Sequence, residues 1–178
     1  MALLSIITAP DPRLKQVCQT VDQVDDEIRR LLDDMLETMY AAPGIGLAAP
    51  QVGALIRALV VDISHDDEKK APLRMLNPEL TWVSDHDASY DEGCLSLPEH
   101  YAEVIRPAEI KVTYLDAQGK KQELAADGLL ATCIQHEMDH LDGILFVDHI
   151  SALKRNMILR KLLKLRKSKT PQELATAG

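Results

Sequence analysis

The chain has 178 residues, 46% of them hydrophobic, and a formal charge of −8. That length suits one compact domain with a real core, and the composition argues against a disordered or fibrous chain. Aromatics make up only 3%, so aliphatic side chains must fill the core and stacking of bases on an aromatic platform is disfavoured.

No apolar run reaches the roughly 20 residues a membrane-spanning helix needs. The start, Met1 to Ile7, lacks a basic leader and runs into Pro10-Asp11-Pro12 instead of a cleavage site, so it reads as mature cytoplasmic protein. Cys18, Cys94 and Cys133 are an odd, widely spaced set, which points to core packing or chemistry and not to disulfides.

In chain order, Val24 to Ala42 is the first predicted helix. Ile28, Leu31, Leu32, Met35, Leu36 and Met39 recur at three-to-four spacing, acids sit at its start, and Pro43-Gly44 ends it. Ala58 to Ile63 is a β-branched run read as a buried strand. Further strands are expected at Leu73–Leu76, Leu80–Val83, Ala102–Ile105, Ile110–Leu115 and Gln122–Ala125, with a hairpin turn at Asp116 to Gly119. A second helix runs from an N-cap at Asp127 to a stop at Gly143, and a third spans Ala152 to Lys167. Strands clustered between helices without βαβ alternation predict an α+β fold. Nothing repeats and no linker divides the chain. The expectation is therefore a single domain over 1–178, with 151–170 as a basic helical appendage.

The second helix carries His136-Glu137-Met138-Asp139-His140. Histidines at i and i+4 share one face, so both imidazoles reach one ion. Glu137 beside them is placed as a general base that need not join the ligand shell. A catalytic metal needs a third protein ligand. The HExxHxxGxxH pattern fails, because Gly143 is present but Phe146 stands at its last position. The one downstream glutamate is Glu173, in a polar tail. Cys133 shares the helix face but lies about 10 Å along the axis from His140, too far to converge with it. Cys94, in Glu92-Gly93-Cys94-Leu95-Ser96, is the remaining ligand.

Three stretches now stand in order: Gly44 to Gln51 reads GxGxAAxQ, Glu92 to Ser96 reads EGCLS, and Gln135 to Gly143 reads QHExDHxxG. At these motifs the chain resembles the peptide deformylases, and the resemblance extends over essentially its whole length. It implies an α+β fold of mostly antiparallel sheets packed around a central metal-binding helix, with N- and C-terminal helices. It also implies a metal-dependent amidohydrolase that removes the formyl group from the N-terminal methionine of newly made proteins, releasing formate. Ferrous iron is the implied metal, with zinc, nickel or cobalt as other occupants, although two nitrogens and a thiolate also suit zinc on coordination grounds.

The resemblance further assigns Gln51 and the Leu95 backbone N–H to the oxyanion, and Ile45 and Gly46 to strand-like pairing with the substrate. It sets Ile45, Tyr90, Leu129, Thr132, Cys133 and His136 around the methionine side chain, with Thr132 more polar than such a pocket suggests. Asp139 and Asp142 are candidates to hold the ligand histidines, with Glu92 orienting the loop. Two other classes compete: a structural metal site, which would close the fourth position with protein, and a zinc endopeptidase, which needs a long open cleft.

From Ser151 to Thr170 there are eight Lys or Arg and no acid, leaving the remainder at −16. Such a segment meets something polyanionic or is a solvated helix face. For an enzyme of nascent chains the expected partners are formyl-methionyl polypeptides and the ribosome, docked through this basic helix, with the enzyme a monomer and no membrane involved.

Overall fold

The structure is a computed structural model that describes residues 2–64 and 69–168. The first helix, α1, covers Asp26–Ala41, with Asp25 as its N-cap. The Asp25 carboxylate accepts from the backbone N–H of Glu27 and Ile28 at 3.0 and 2.9 Å, satisfying donors the helix cannot. Its buried stripe, Leu32, Met35, Leu36 and Met39, is the one the periodicity gives.

The strands are β1 (Gly46–Ala48), β2 (Ala58–Val61), β3 (Leu73–Val83), β4 (Asp87–Cys94), β5 (Leu97–Pro107), β6 (Glu109–Leu115) and β7 (Lys121–Asp127). They form a five-stranded sheet in the order β1-β2-β3-β6-β7 and a two-stranded sheet of β4 with β5. Every pairing within these two sheets is antiparallel.

The second helix, α2, spans Gly128–Leu141, and it lies opposite α1 across the larger sheet. Ala58 and Val60 face α1 with Leu47 and Leu76, whereas Leu59 and Val61 face α2 with Ala48, Met75, Ile110 and Val112. A strand covered on both faces has no polar side to alternate, which is why Ala58 to Val61 is continuously apolar. With sheets on either side, α2 buries Ala131 to Met138, His140 and Leu141. The fold is thus α+β, with antiparallel sheets around a central helix.

Some local expectations need correction. Leu73–Leu76 and Leu80–Val83 are one strand, whose ladder slips between Leu76 and Glu79. Asn77 sits there at φ +48, its amide bonded at 2.8 Å to both the N–H and the C=O of Val21. That two-way bond carries the chain through the bulge. Asp87 to Cys94 is a strand that low β-propensity hides. Asp127 is the N-cap residue of α2, but its side chain makes no capping bond.

Gly143 closes α2 at φ +72, and a Cβ there would come within 2.6 Å of the Lys15 backbone carbon. The helix stop therefore doubles as the point where the N-terminal segment crosses.

The third helix, α3, covers Ala152–Ser168. Leu162 is buried there and Ile158 and Leu159 partly so, against Ala9, Leu14, Leu97 and Phe146. Lys169, Thr170 and Glu173 lie outside the described residues. Among the described residues no helix is long and apolar enough to cross a membrane.

Candidate active site

The α2 helix brings His136, Glu137 and His140 to the centre of the molecule, each at most 6% exposed. The two imidazoles are edge to face with ring centroids 5.1 Å apart. Cys94 arrives from the end of β4, where the ladder slips between Gly93 and Cys94 and turns the thiol inward. Its Sγ lies 3.3 Å from His140 Nε2. One ligand atom from each of Cys94, His136 and His140 falls within 4.8 Å of the others. Ligand bonds of about 2.0–2.3 Å give tetrahedral edges of about 3.3–3.7 Å, so this donor set fits a single cation with little adjustment. Glu137 Oε2 is buried beside it with no hydrogen-bond partner among the described residues.

Burial, with Glu92 and Asp139 adding to it, pushes the Glu137 carboxyl up to about 7 against the pull of His136 and Arg106. A carboxyl there can both take and give a proton near neutrality. Burial drives His140 well below its ordinary value, which keeps it neutral, as a ligand must be. His136 is buried too, but its bonds with Cys94 and Glu92 outweigh that and hold it high.

Gln51 lies in the short 3-10 turn Ala49–Val52 that follows β1. Its Oε1 accepts the Ala48 N–H at 2.9 Å, so its amide nitrogen must point the other way, to Ser96 Oγ at 3.1 Å and Cys94 Sγ at 3.5 Å. Leu95 is in the turn that follows Cys94, and its side chain lies where a Cβ on Gly44 would come within 2.8 Å. A Cβ on Gly46 would overlap Glu137 Oε1 and fall 2.9 Å from Cys133 Sγ. The glycines of the first motif are therefore explained by close approach to the site.

Two cavities meet at Ile45, Gly93, His136 and Glu137. The larger, about 400 Å³, opens past Gly46, Gln51, Cys94 and Leu95 toward Glu99 and Tyr101. The smaller, about 100 Å³, is walled by Ile45, Tyr90, Leu129, Thr132, Cys133 and His136. All the residues expected around a methionine side chain thus line one pocket. Cys133 is no ligand: its Sγ sits 3.6 Å from the Ile45 carbonyl, and burial pushes its thiol well up.

The support for His136 differs from expectation. Asp139 and Asp142 bond neither ligand histidine; Asp142 pairs with Arg57 at 2.7 Å, and Asp139 with Arg106 and His149. Glu92 takes the role instead, its Oε2 lying 2.9 Å from His136 Nδ1. Arg106 grips Glu92 through two nitrogens. Arg106, Ser96 and His149 had no assigned part. The available signal was Arg106 at the inward register of β5, two residues after buried Val104, where a cation needs a partner.

A largely buried Cys-His-His donor set, beside a glutamate oxygen without a partner among the described residues and at the junction of two cavities, defines the centre of a metal-dependent hydrolase. Residues 3–156 match the family model for polypeptide deformylase. A peptide deformylase of Phenylobacterium zucineum is 57% identical over 92% of this chain and 97% of its own length. That of Agrobacterium fabrum is 54% identical over 95% and 99%. Among solved structures, the peptide deformylase of Ehrlichia chaffeensis in complex with actinonin superposes with a TM-score of 0.90 at 41% identity, covering 96% of this chain and all of that one. That of Thermotoga maritima gives 0.80 at 36% identity, covering 85% and 99%. The chain belongs to the polypeptide deformylase family: metal-dependent hydrolases that remove the formyl group from the N-terminal methionine of newly made proteins.

Proposed function

We propose that Cys94, His136 and His140 hold the divalent metal of this deformylase, and that Glu137 carries the protons of the reaction. The observation that supports this most is the convergence of the three donor atoms within 4.8 Å beside the unpartnered Glu137 Oε2. A cation held by that set acts as a Lewis acid and brings the pKa of water to about 7.

The formyl-methionyl chain lies along β1, its backbone paired with Ile45 and Gly46 as an added strand. Its methionine side chain enters the pocket of Ile45, Tyr90, Leu129, Thr132, Cys133 and His136. Thr132 joins His136 and Glu137 as polar parts of that wall, which suits a slightly polar thioether better than a pure hydrocarbon. Glu137 takes the proton of the attacking water as its oxygen bonds to the formyl carbon. Gln51 Nε2 and the Leu95 N–H donate to the oxygen that becomes negative. As the C–N bond breaks, Glu137 returns the proton to the amine, leaving formate and a free N-terminus.

The metal is ferrous iron, with zinc, nickel and cobalt as alternative occupants; family resemblance supports iron, whereas a donor set of two nitrogens and one sulfur also suits zinc. The enzyme is a cytoplasmic monomer, a single catalytic domain over 1–178. The basic segment 151–170 is an appendage that docks on the ribosome, supported by its run of eight cations without an acid.

The test is formate release by anaerobically purified protein given a formyl-Met peptide and its acetyl-Met counterpart with internal bonds. Formate from the first and no internal cleavage of either is expected. Cleavage within the peptides would favour an endopeptidase.

A further inference from the structure

His149 closes the 3-10 turn Phe146–His149 and touches neither cavity. Its Nε2 lies 2.7 Å from Asp139 Oδ2, and the same oxygen accepts from Arg106 Nη1 at 2.8 Å. The other two guanidinium nitrogens in use, Nε and Nη2, donate to Glu92, whose Oε2 meets His136 Nδ1 at 2.9 Å. Unbroken polar contacts therefore run from an imidazole 34% exposed to a ligand histidine 7% exposed. They cross four separate elements: the turn, α2, β5 and β4.

The chain is only as rigid as its loosest member. Glu92 and Arg106 are locked, with side chains 5% and 6% exposed, whereas Asp139 is 21% exposed. Without a donor at Oδ2 from the solvent side, that carboxylate can rotate toward water and leave Arg106 with two anchors in place of three. The planar fork transmits any tilt to Glu92, because its donors are fixed relative to one another. Glu92 in turn sets the orientation and basicity of the His136 ring.

A purely mechanical role, pinning the turn to α2, does not require His149. Phe146 and Val147 are buried, and the Phe146 ring stacks on His136 of α2 with centroids 6.3 Å apart.

We propose that His149 is a positioning residue for deformylation: by holding Asp139 Oδ2 against Arg106 it fixes Glu92, and through it aims His136 at the metal. This rests on reading Cys94, His136 and His140 as the metal site.

The experiment uses full-length apo protein and Zn2+ in competition with a chromophoric chelator. It compares the native chain with His149→Phe, which keeps a ring without a donor, and His149→Gln, which keeps a donor. Thermal midpoints of the apo proteins and kcat and KM are read alongside. Direct partners of a ligand are worth 10–100-fold in metal affinity, and one further removed is expected to give about three- to tenfold. His149→Phe should lose that factor and lower kcat at constant KM with an unchanged thermal midpoint, while His149→Gln recovers most of it. Native affinity in His149→Phe overturns the inference, as does equal weakening in both variants or a matching fall in thermal midpoint. His136→Ala is the control: if it keeps Zn2+, the metal-site reading itself fails, a result distinct from failure of His149 alone.

Discussion

Glu92 Oε2 lies 2.9 Å from His136 Nδ1, and the same carboxylate takes two N–H bonds from Arg106. A carboxylate is an acceptor only, so His136 must carry a proton on Nδ1, which leaves Nε2 as its nitrogen for a metal. The motif that supplies the thiol thus also fixes the tautomer of a histidine 42 positions after it.

Burial raises the Glu92 carboxyl, but the bonds from Arg106 and His136 outweigh it and bring it from 4.5 down to about 2. A folded value below the unfolded one means that this stabilisation is complete above about pH 4.5 and is lost as pH falls toward about 2. Apo protein unfolded by denaturant across that window should lose stability more steeply with acid than Glu92→Gln does. An equal slope in the variant would contradict the assignment. At neutral pH, Glu92→Gln is expected to weaken metal binding by about 10–100-fold.

Arg106→Met removes the cation between Glu92 and Asp139 and leaves the buried Glu92 carboxylate without its charged partner, held only by His136. Such an unpaired buried charge costs about 3–5 kcal/mol, so the denaturation midpoint should fall by a corresponding amount. A change under about 1 kcal/mol, the scale of an exposed pair, would show that Arg106 is not structurally needed there.

Gly46→Ala tests the close approach of β1 to the site, since its Cβ would overlap Glu137 Oε1. A displacement of about 1 Å in a catalytic group costs on the order of 100-fold in rate. Turnover should drop by about that factor while the bound metal stays, because no ligand is moved directly. Full activity in Gly46→Ala would mean that Glu137 works from a different rotamer.

Gln51→Leu removes the amide that Ala48 aims at Ser96 and Cys94. Loss of an oxyanion donor lowers kcat by about 10²–10³, with KM little changed. A KM effect alone would make Gln51 a binding residue and not a stabiliser of the transition state.

The basic helix is expected to hold the enzyme on ribosomes in a salt-dependent way. Co-sedimentation should fall steeply between low and physiological salt, as binding through phosphate contacts does. Binding indifferent to salt, or none at low salt, would reject the electrostatic dock.

What the sequence discloses depends on how local the cause is. The stripe of α1 and the His136–His140 face follow from a 3.6-residue period, and the Asp116 to Gly119 turn from its composition. These need no knowledge of the rest of the chain. The link from His136 to Glu92, Arg106, Asp139 and His149 is of another kind. It exists because β4 and β5 pair with Glu92 opposite Ala102 and because α2 crosses that ladder, facts that no segment carries by itself. Asp139 illustrates the trap: one residue before a ligand, it invites a supporting role in the sequence, but on the helix it points about 100° away from His140, toward Arg106. The fusion of two predicted strands into β3 has the same origin, since it is the contact with Val21, 56 residues away, that bridges Asn77.

In the proposed division of roles, Glu137 alone handles protons while Cys94, His136 and His140 hold the metal. Metal content and formate release, measured together on Glu137→Ala and Cys94→Ala, test it most directly. Glu137→Ala should retain a full equivalent of metal and lose turnover by about 10²–10⁴-fold, the range of general acid–base catalysis; Cys94→Ala should lose the metal. Substantial turnover in Glu137→Ala, or unchanged metal stoichiometry in Cys94→Ala, would contradict that division.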